Sequence, residues 1–326
     1  MNPIRASRPS SLLRQISLAI VGAMACATPA MAAYPEQPLT IMVGFGAGGG
    51  TDTLARLVAS AAEASFGQPI VVKNVPGGGG VVAATKLLNA KPDGYTIGMA
   101  VTSTFSYAPV ASKSVKFKPD DFVYPASVAK LQNCVVAKGD APFNSLEELV
   151  AAVKAGKHLS FASSSPAVTL TMQYVSRQAG IDMKIVPVKG GAAAMKEVLG
   201  GHMDLAWSAG IHQKYLKDRS LKVIVASGAR RLPSTPKVPT LRELGYDVGS
   251  DTHFLFFAPK GIPKDVLDKL VKTLASAASS AKVKALAQDK MGFPNEVLSP
   301  EELHAEVMAD TESWKRLIKL AEEAKK

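Results

Sequence analysis

The stretch "LTIMVGFGAGGGTDTLARLVASAAEASFG", residues 39–67, decides how this chain is read. Its first seven residues are an apolar run of strand length. From Asp52 onward, Leu54, Leu57, Val58 and Ala61 recur at helical spacing, and Gly67 is the stop. Between strand and helix, Gly44, Gly46 and Gly49 stand in G-x-G-x-x-G register. That register fits either a dinucleotide-binding turn or a glycine loop that holds some other anion.

A dinucleotide turn needs an acid at the end of the following strand, about 20 residues on, to hold the ribose hydroxyls. Here the strand "PIVVKNV" ends Val72-Lys73-Asn74-Val75, and Glu63 lies inside the helix at the wrong depth. The anion loop remains. With Gly44, Gly46, Gly48, Gly49 and Gly50 at a helix start, no side chain separates the first-turn N–H groups from a ligand oxygen. Thr51 adds a hydroxyl donor. Asp52 stands where an N-cap is expected, and capping the helix and contacting a ligand are both open to it.

A second glycine loop, "NVPGGGGVV" (residues 74–82), follows the next strand and lacks the Gly-Lys-Ser/Thr ending of a P-loop. Helix "GVVAATKLLNAK", turn "PDG" and strand "YTIGMAVT" complete a βαβαβ unit. In a parallel sheet both loops lie at the carboxyl edge, where open α/β sheets bind ligands. A second unit begins after "KFKPDD" and alternates strands "CVVAK", "LSFAS", "KIVPV", "MDLAWS" and "LKVIVAS" with helices. Two of its helix starts, "SSSPAVT" (163–169) and "KGGAAA" (189–194), are expected to face the same cleft.

The fold class is therefore α/β, with two lobes, each a mostly parallel sheet flanked by helices. The Pro-rich segment "LPSTPKVPTLRELGYDVG" leads to strand "FLFFAPKG", and residues 263–326 read as two amphipathic helices, the second opened by Ser299-Pro300-Glu301-Glu302. These helices are expected to return to the first lobe, so two segments would cross between lobes and form a hinge over a cleft. The approximate boundaries are 1–32 for a leader, 33–128 plus 254–326 for lobe 1, and 129–253 for lobe 2.

The leader reads as a cleaved signal peptide: Arg5, Arg8 and Arg14, an apolar stretch from Ile16 to Ala27, and the small-x-small site Ala30-Met31-Ala32. The apolar core is too short for a membrane span. The net charge of +11 includes those three arginines; the remaining lysines are spread along helices as a solvated surface. No aromatic-plus-basic stripe marks a nucleic-acid partner. Without the leader only Cys134 is left, so no internal disulfide forms and the core must hold the fold.

The segments "YPEQPLTIMVGFGAGGGTDTLAR", "IVVKNVPGGGGVVAATKLLNAKPDGYTIGM", "VPVKGGAAAMKEVLGGHMDLAW" and "PSTPKVPTLRELGY" resemble, in order and spacing, the solute-binding proteins of tripartite tricarboxylate transporters, the Bug family. The resemblance covers essentially all of the chain after the leader. It implies a two-lobed periplasmic binding protein, type II-like, that closes on a small carboxylated molecule. By position it places first-loop contacts at Phe45, Ala47, Gly48, Thr51 and Asp52, beside Gly49 of the same loop, and second-loop contacts at Gly77, Gly78 and Gly79. Strand-end hydroxyls fall on Thr102, Ser103 and Thr104, and second-lobe contacts on Ser163, Ser164, Gly190 and Ala192.

Three sites depart from the family's pattern. Gly44 replaces the usual loop-opening proline, the second-lobe Gly-x-Gly turn reads Ser165-Pro166-Ala167 with Thr171 where His is common, and Ser208, beside Trp207, replaces a frequent Asp. These changes spare the carboxylate-holding half and alter the half that reads the rest of the ligand. The expected ligand is a di- or tricarboxylate or an aromatic carboxylate, with a less polar distal end, such as an aromatic ring, packing on Trp207 or Phe45, although Trp207 also suits ordinary core packing.

Enzymatic chemistry finds little support. His158, His202, His212, His253 and His304 show no metal-ligand spacing, no G-x-S-x-G elbow occurs, and Cys134 has no evident base partner in sequence. Asp204 and Asp251 read as structural. The expectation is a monomeric, exported, non-enzymatic receptor without cofactor or metal, delivering a carboxylate to the permease subunits of a tripartite transporter. A sensor presenting ligand to a signalling partner such as a sensor kinase, and an exported enzyme using the same cleft, are the alternatives.

Overall fold

A computed structural model describes residues 34–188, 190–249 and 251–323. The signal-peptide reading of residues 1–32 and the Lys189 end of the "KGGAAA" loop fall outside them. Strands β1 (Leu39–Val43), β2 (Ile70–Asn74), β3 (Thr96–Val101), β4 (Phe122–Val123) and β5 (Ser127–Lys130) belong to one sheet. Strands β6 (Cys134–Lys138), β7 (Ser160–Ser163), β8 (Lys184–Pro187), β9 (Leu205–Ser208) and β10 (Leu221–Ala226) form a second, and β11 (His253–Pro259) returns to the first.

Each sheet has a parallel half and an antiparallel half. In the first, ordered β2-β1-β3-β11-β4, strands β1, β2 and β3 run parallel, while β11 is antiparallel to β3, β4 and β5. In the second, ordered β10-β6-β9-β7-β8, the parallel pairs are β7 with β8 and β7 with β9, and β6 is antiparallel to both neighbours. The short β4 and β5 were not legible as strands in "KFKPDDFVYPASVAK". Pairing with the fully buried β11, rather than local propensity, extends them.

The helices are α1 (Gly50–Phe66), α2 (Val81–Leu88), α3 (Thr102–Ser106), α4 (Ala108–Ala111), α5 (Leu146–Lys154), α6 (Pro166–Ala179), α7 (Gly190–Leu199), α8 (Gln213–Leu216), α9 (Lys264–Ala278), α10 (Ala281–Ala285) and α11 (Pro300–Glu323). Gly67 ends α1 at φ 69°, its N–H bonded to the Glu63 carbonyl. The buried face of α1 is Leu54, Ala55, Val58, Ala62 and Phe66. It is rotated from the expected stripe, and Leu57 and Ala61 lie at its margin because the small Ala55 and Ala62 pack against the sheet. At α11 the Ser299 hydroxyl accepts from the Glu302 N–H at 3.2 Å and the Glu302 carboxylate from the Ser299 N–H at 2.8 Å, a reciprocal capping box.

The core of the first sheet is aromatic: Phe105, Phe117, Phe122, Tyr124 and Phe257 are buried, with Phe105 and Phe257 centroids 4.8 Å apart. That of the second gathers Val135, Phe161, Met172, Val175 and Ile224. Helix α11 joins them. Leu303 and Val307 sit in the first core, Leu317 in the second with Trp314 packed against it. Helix α9 packs on α1, covering the first sheet. The chain leaves the first sheet between β5 and β6 and returns between β10 and β11. The two crossings are paired by the Leu131 N–H donating to the Thr252 carbonyl at 2.8 Å. Ion pairs Lys130–Asp251 and Arg230–Glu296 (3.1 Å) flank this junction.

Candidate ligand-binding site

The first glycine loop owes its shape to a buried carboxylate. Asp52 is not the N-cap. Gly49 holds that position in extended conformation, and Asp52 is the third helical residue, 4% exposed. Its Oδ2 accepts the Gly48 N–H at 2.9 Å and its Oδ1 the Asn74 amide at 2.9 Å, and Arg56, one turn on, pairs with Oδ1 at 3.0 Å. Burial alone would raise its pKa. The Gly48 N–H, the Arg56 guanidinium and the Asn74 amide outweigh that effect and hold the carboxyl below the usual range. The same Asn74 amide donates to the Phe45 carbonyl at 3.1 Å. Asp52 therefore supports the loop from beneath, and every bond it makes is internal to the fold.

The first intrahelical bond of α1 runs from the Thr53 N–H to the Gly49 carbonyl at 2.9 Å, so the N–H groups of Gly50, Thr51 and Asp52 lie ahead of it. Beside them is the second loop. Gly77, Gly78, Gly79 and Gly80 all have positive φ (144°, 57°, 66° and 99°), which only glycine adopts without strain in such a run. The loops touch through backbone: a Cβ on Gly44 would stand 2.8 Å from the Gly80 Cα. Glycine at position 44 permits that approach. Thr104, buried, donates to the Gly79 carbonyl at 2.7 Å and fastens the second loop to α3.

A cavity of about 310 Å³ opens at this point. Of the residues singled out from sequence, Phe45, Thr51, Gly79, Ser103, Ser164, Thr171 and Trp207 line it. Ala47, Gly48, Gly49, Gly77 and Gly78 belong to the same two loops without lining it. The remaining assignments need correction. Thr102 is fully buried, giving its hydroxyl to Glu306 at 3.0 Å and accepting the His253 N–H at 2.9 Å. Thr104 is turned to Gly79, as described. Ser163 is bonded to Thr169 at 2.7 Å and to the Ser165 carbonyl at 3.0 Å, and the Ser208 oxygen accepts the His212 N–H at 3.2 Å. Ser163 and Ser208 end β7 and β9, where successive side chains alternate faces, so they point away from the side of Ser164 and Trp207, whereas Thr102 and Thr104 are held inward from the first turn of α3.

Gly190 and Ala192 also fall outside the cavity lining. Helix α7 follows β8, the outermost strand of its sheet, which carries its start away from the centre. At α6 the helix start offers less than the sequence implied. Pro166 has no N–H, and the Val168 N–H is taken by the Ser165 hydroxyl at 3.4 Å. Helix-start N–H groups beside the cavity are thus concentrated at the loops of the first sheet.

Several lining residues carried no sequence signal. Asn133, in the first crossing, accepts the Trp207 indole N–H at 3.3 Å and donates to the Thr252 hydroxyl at 3.2 Å. Phe254, at the start of β11, lines the cavity and packs on Phe293 at 5.0 Å between centroids. Helix α11 contributes Asp310, Ser313, Trp314 and Leu317. No lysine or arginine lines the cavity among the described residues.

Cys134 does have a histidine partner in space: its Sγ lies 3.5 Å from His212 Nδ1. Both are fully buried. Burial pushes the thiol pKa far up and the imidazole down to about 4, so the pair is a neutral core contact. Asp204, accepting the Ser160 N–H at 2.8 Å and its hydroxyl at 2.7 Å, ties β7 to the turn before β9. Among the described residues no cluster of three or more His, Cys, Asp or Glu could hold a metal.

Comparison with known proteins places this geometry. Residues 54–322 match the family model of the tripartite tricarboxylate transporter family receptor. A relative from the gbd 5′ region of Cupriavidus necator is 31% identical over 242 residues, 73% of each chain. Among solved structures, the periplasmic binding protein BugD is 32% identical and superposes with a TM-score of 0.73, covering 88% of this chain and 98% of BugD. MatC from Rhodopseudomonas palustris, solved with bound malate, is 26% identical with a TM-score of 0.73, covering 87% of this chain and 100% of MatC. The fold is that of the two-lobed periplasmic binding proteins, and the chain belongs to the tripartite tricarboxylate transporter receptor family.

Proposed function

We propose that this protein captures a small carboxylated solute in the periplasm and delivers it, chemically unchanged, to the membrane permease subunits of a tripartite tricarboxylate-type transporter, acting as a monomer. The observation that carries the reading is the contact between the two glycine loops at the cavity. There a helix start at Gly50–Asp52 and the 77–80 loop present backbone rather than cationic side chains. A helix N-terminus contributes about 0.3–1 kcal/mol toward holding a negative charge, and more when partly buried. Aromatic walls from Phe45, Trp207, Phe254 and Trp314 suit a carboxylate with an apolar or aromatic body. Closure over the ligand would bend the two crossing segments at 131–133 and 251–252.

A thermal-shift screen over mono-, di- and tricarboxylates, followed by calorimetry, tests this. A true ligand raises the melting temperature with a saturable Kd, and mass spectrometry returns it unaltered. No stabilisation by any carboxylate, or recovery of a transformed product, would refute the reading.

A further inference from the structure

We infer that the outer edge of β10 docks an acidic, extended peptide segment of a protein partner, which lies beside Leu221 and Val223 as an added strand. This surface shares no lining residue with the cavity and stands independently of the receptor reading.

Strand β10 is the outermost of its sheet and pairs with β6 on one side. In an antiparallel ladder, hydrogen-bonded pairs alternate with pairs whose backbone groups face away. The Gly139 N–H donates to the Ser220 carbonyl at 2.9 Å, which makes 220 and 139 a bonded pair and 222 with 137 the next. Leu221 and Val223 therefore turn their N–H and C=O outward. Past the irregularity at 223–225 Ala226 does the same, and there the edge is occupied. Its N–H donates to the Pro239 carbonyl at 3.0 Å, and its carbonyl accepts the Leu241 N–H at 2.8 Å. The Pro-rich segment reaches the edge only at that point, and among the described residues Leu221 and Val223 have no such backbone partner.

A pocket of about 400 Å³ lies along this open length. Its apolar lining, Leu216, Leu221, Val223 and Val238, belongs to one core cluster. Its charged lining is Arg219 and Lys222, with no acid among the described residues. Lysines commonly guard a bare edge. Lys222 does not guard this one, because its ammonium is tied back to the Ala141 carbonyl at 2.6 Å and the Asn144 side-chain oxygen at 2.8 Å. Arg219 is exposed, in no ion pair among the described residues, and at φ 57°. Its carbonyl is so close to Gly139 that a Cβ there would stand 1.7 Å away.

Charge decides the occupant. Exposed Lys217 stands beside Arg219, exposed Lys237 lies in the facing loop, and Asp218 is the lone acid between 214 and 222. A second copy of this chain would set like charges edge to edge, whereas an acidic strand meets opposite charge. In strand addition, main-chain bonds give affinity and alternate side chains give specificity. Apolar residues in register with Leu221 and Val223 would extend the apolar face, and acids at the alternate positions would meet the basic rim.

Amide spectra of the ¹⁵N-labelled full chain, titrated with an acetylated and amidated peptide of alternating glutamate and valine, test the assignment, with the lysine–valine peptide as control. The expected result is saturable perturbation and slowed hydrogen exchange at Leu221 and Val223, weakened by salt and absent with the control. Arg219→Gly, which suits the φ of 57°, should weaken binding several-fold. Val223→Pro removes an outward N–H while leaving the β6 ladder its bonds, and should abolish binding in a variant whose melting curve shows it folded. A glutamate–valine peptide N-methylated at alternate residues makes the same cut on the wild type and should not bind. Silence at Leu221 and Val223, equal binding of the lysine peptide, or undiminished binding of the N-methylated peptide overturns the proposal. So does sedimentation showing a self-paired chain that Val223→Pro returns to monomer. None of these outcomes bears on carboxylate binding in the cavity.

Discussion

The Asn74 side-chain amide reaches from the end of β2 to two points of the neighbouring loop, Asp52 Oδ1 at 2.9 Å and the Phe45 carbonyl at 3.1 Å. One residue thus sets the spacing between the first glycine loop and the helix it precedes. Replacing Asn74 by Ala removes one of the three donors to the buried Asp52, beside the Gly48 N–H and Arg56, a change that costs about 1–3 kcal/mol. Asn74→Ala and Asp52→Ala should both lower the melting temperature and weaken carboxylate binding, as followed by calorimetry. Equal affinity in a destabilised variant would separate loop order from binding.

The near contact of Gly44 and Gly80 gives a second expectation. A methyl group on Gly44 meets the Gly80 Cα at 2.8 Å, and one on Gly80, at φ 99°, meets the Thr104 hydroxyl at 2.8 Å. Neither neighbour is the free end of a flexible side chain. Gly44→Ala and Gly80→Ala should each destabilise by about 1–3 kcal/mol in chemical denaturation. Gly46→Ala, with open space around the added Cβ, should be close to neutral.

His253 introduces a pH dependence. It is 2% exposed and lies between Glu306, 2.9 Å from Nδ1, and Glu296, 3.4 Å from Nε2. Burial alone would lower its pKa. The hydrogen bond and charge of Glu306, with the charge of Glu296, outweigh that and raise it above 6.5. A raised folded-state value means that the stabilisation is complete below the unfolded pKa of about 6.5 and is lost as pH rises through the higher folded value. Melting temperatures should decline across that window above 6.5 in the wild type and decline less in His253→Gln. A wild-type melting temperature that rises through the window would show that His253 is neutral.

Both tryptophans of the chain, Trp207 and Trp314, line the cavity. Ligand entry should therefore change intrinsic fluorescence, with a titration midpoint matching the calorimetric Kd. Trp314→Phe should remove part of the signal and Trp207→Phe the rest. A bound ligand with no spectral change would place it away from the aromatic walls.

Much of this architecture was legible in the chain. The alternation of short apolar runs with helical stripes specified the α/β class, and the glycine clusters marked the loops that meet, because glycine is where backbone can approach backbone. Ser299 and Glu302 announced the start of α11 three residues apart. Pairings between distant positions were hidden. Asn74 lies 22 residues from Asp52, His212 78 from Cys134, and Thr102 151 from His253. Each depends on strand register and order, which spacing does not encode. Hence Thr102, Thr104, Ser163 and Ser208 looked available for a ligand while their hydroxyls belong to the core. One overlooked signal was present: along α11 the buried positions Leu303, Val307, Asp310 and Leu317, with Trp314 packed beside them, form one stripe. An acid on that face is the mark of a polar site within an otherwise apolar stripe, and Asp310 lies in the wall of the cavity.

The central claim, that backbone amides of the two glycine loops grip the carboxylate, is tested most directly by amide chemical shifts in a ¹⁵N-labelled sample titrated with the tightest acid of the screen. The account predicts the largest perturbations at Gly48–Asp52 and Gly78–Val81, absent when the acid is replaced by its neutral primary amide. Perturbations centred instead on the second pocket, of about 400 Å³ and lined by Leu216 and Val238, or equal responses to acid and amide, would contradict it.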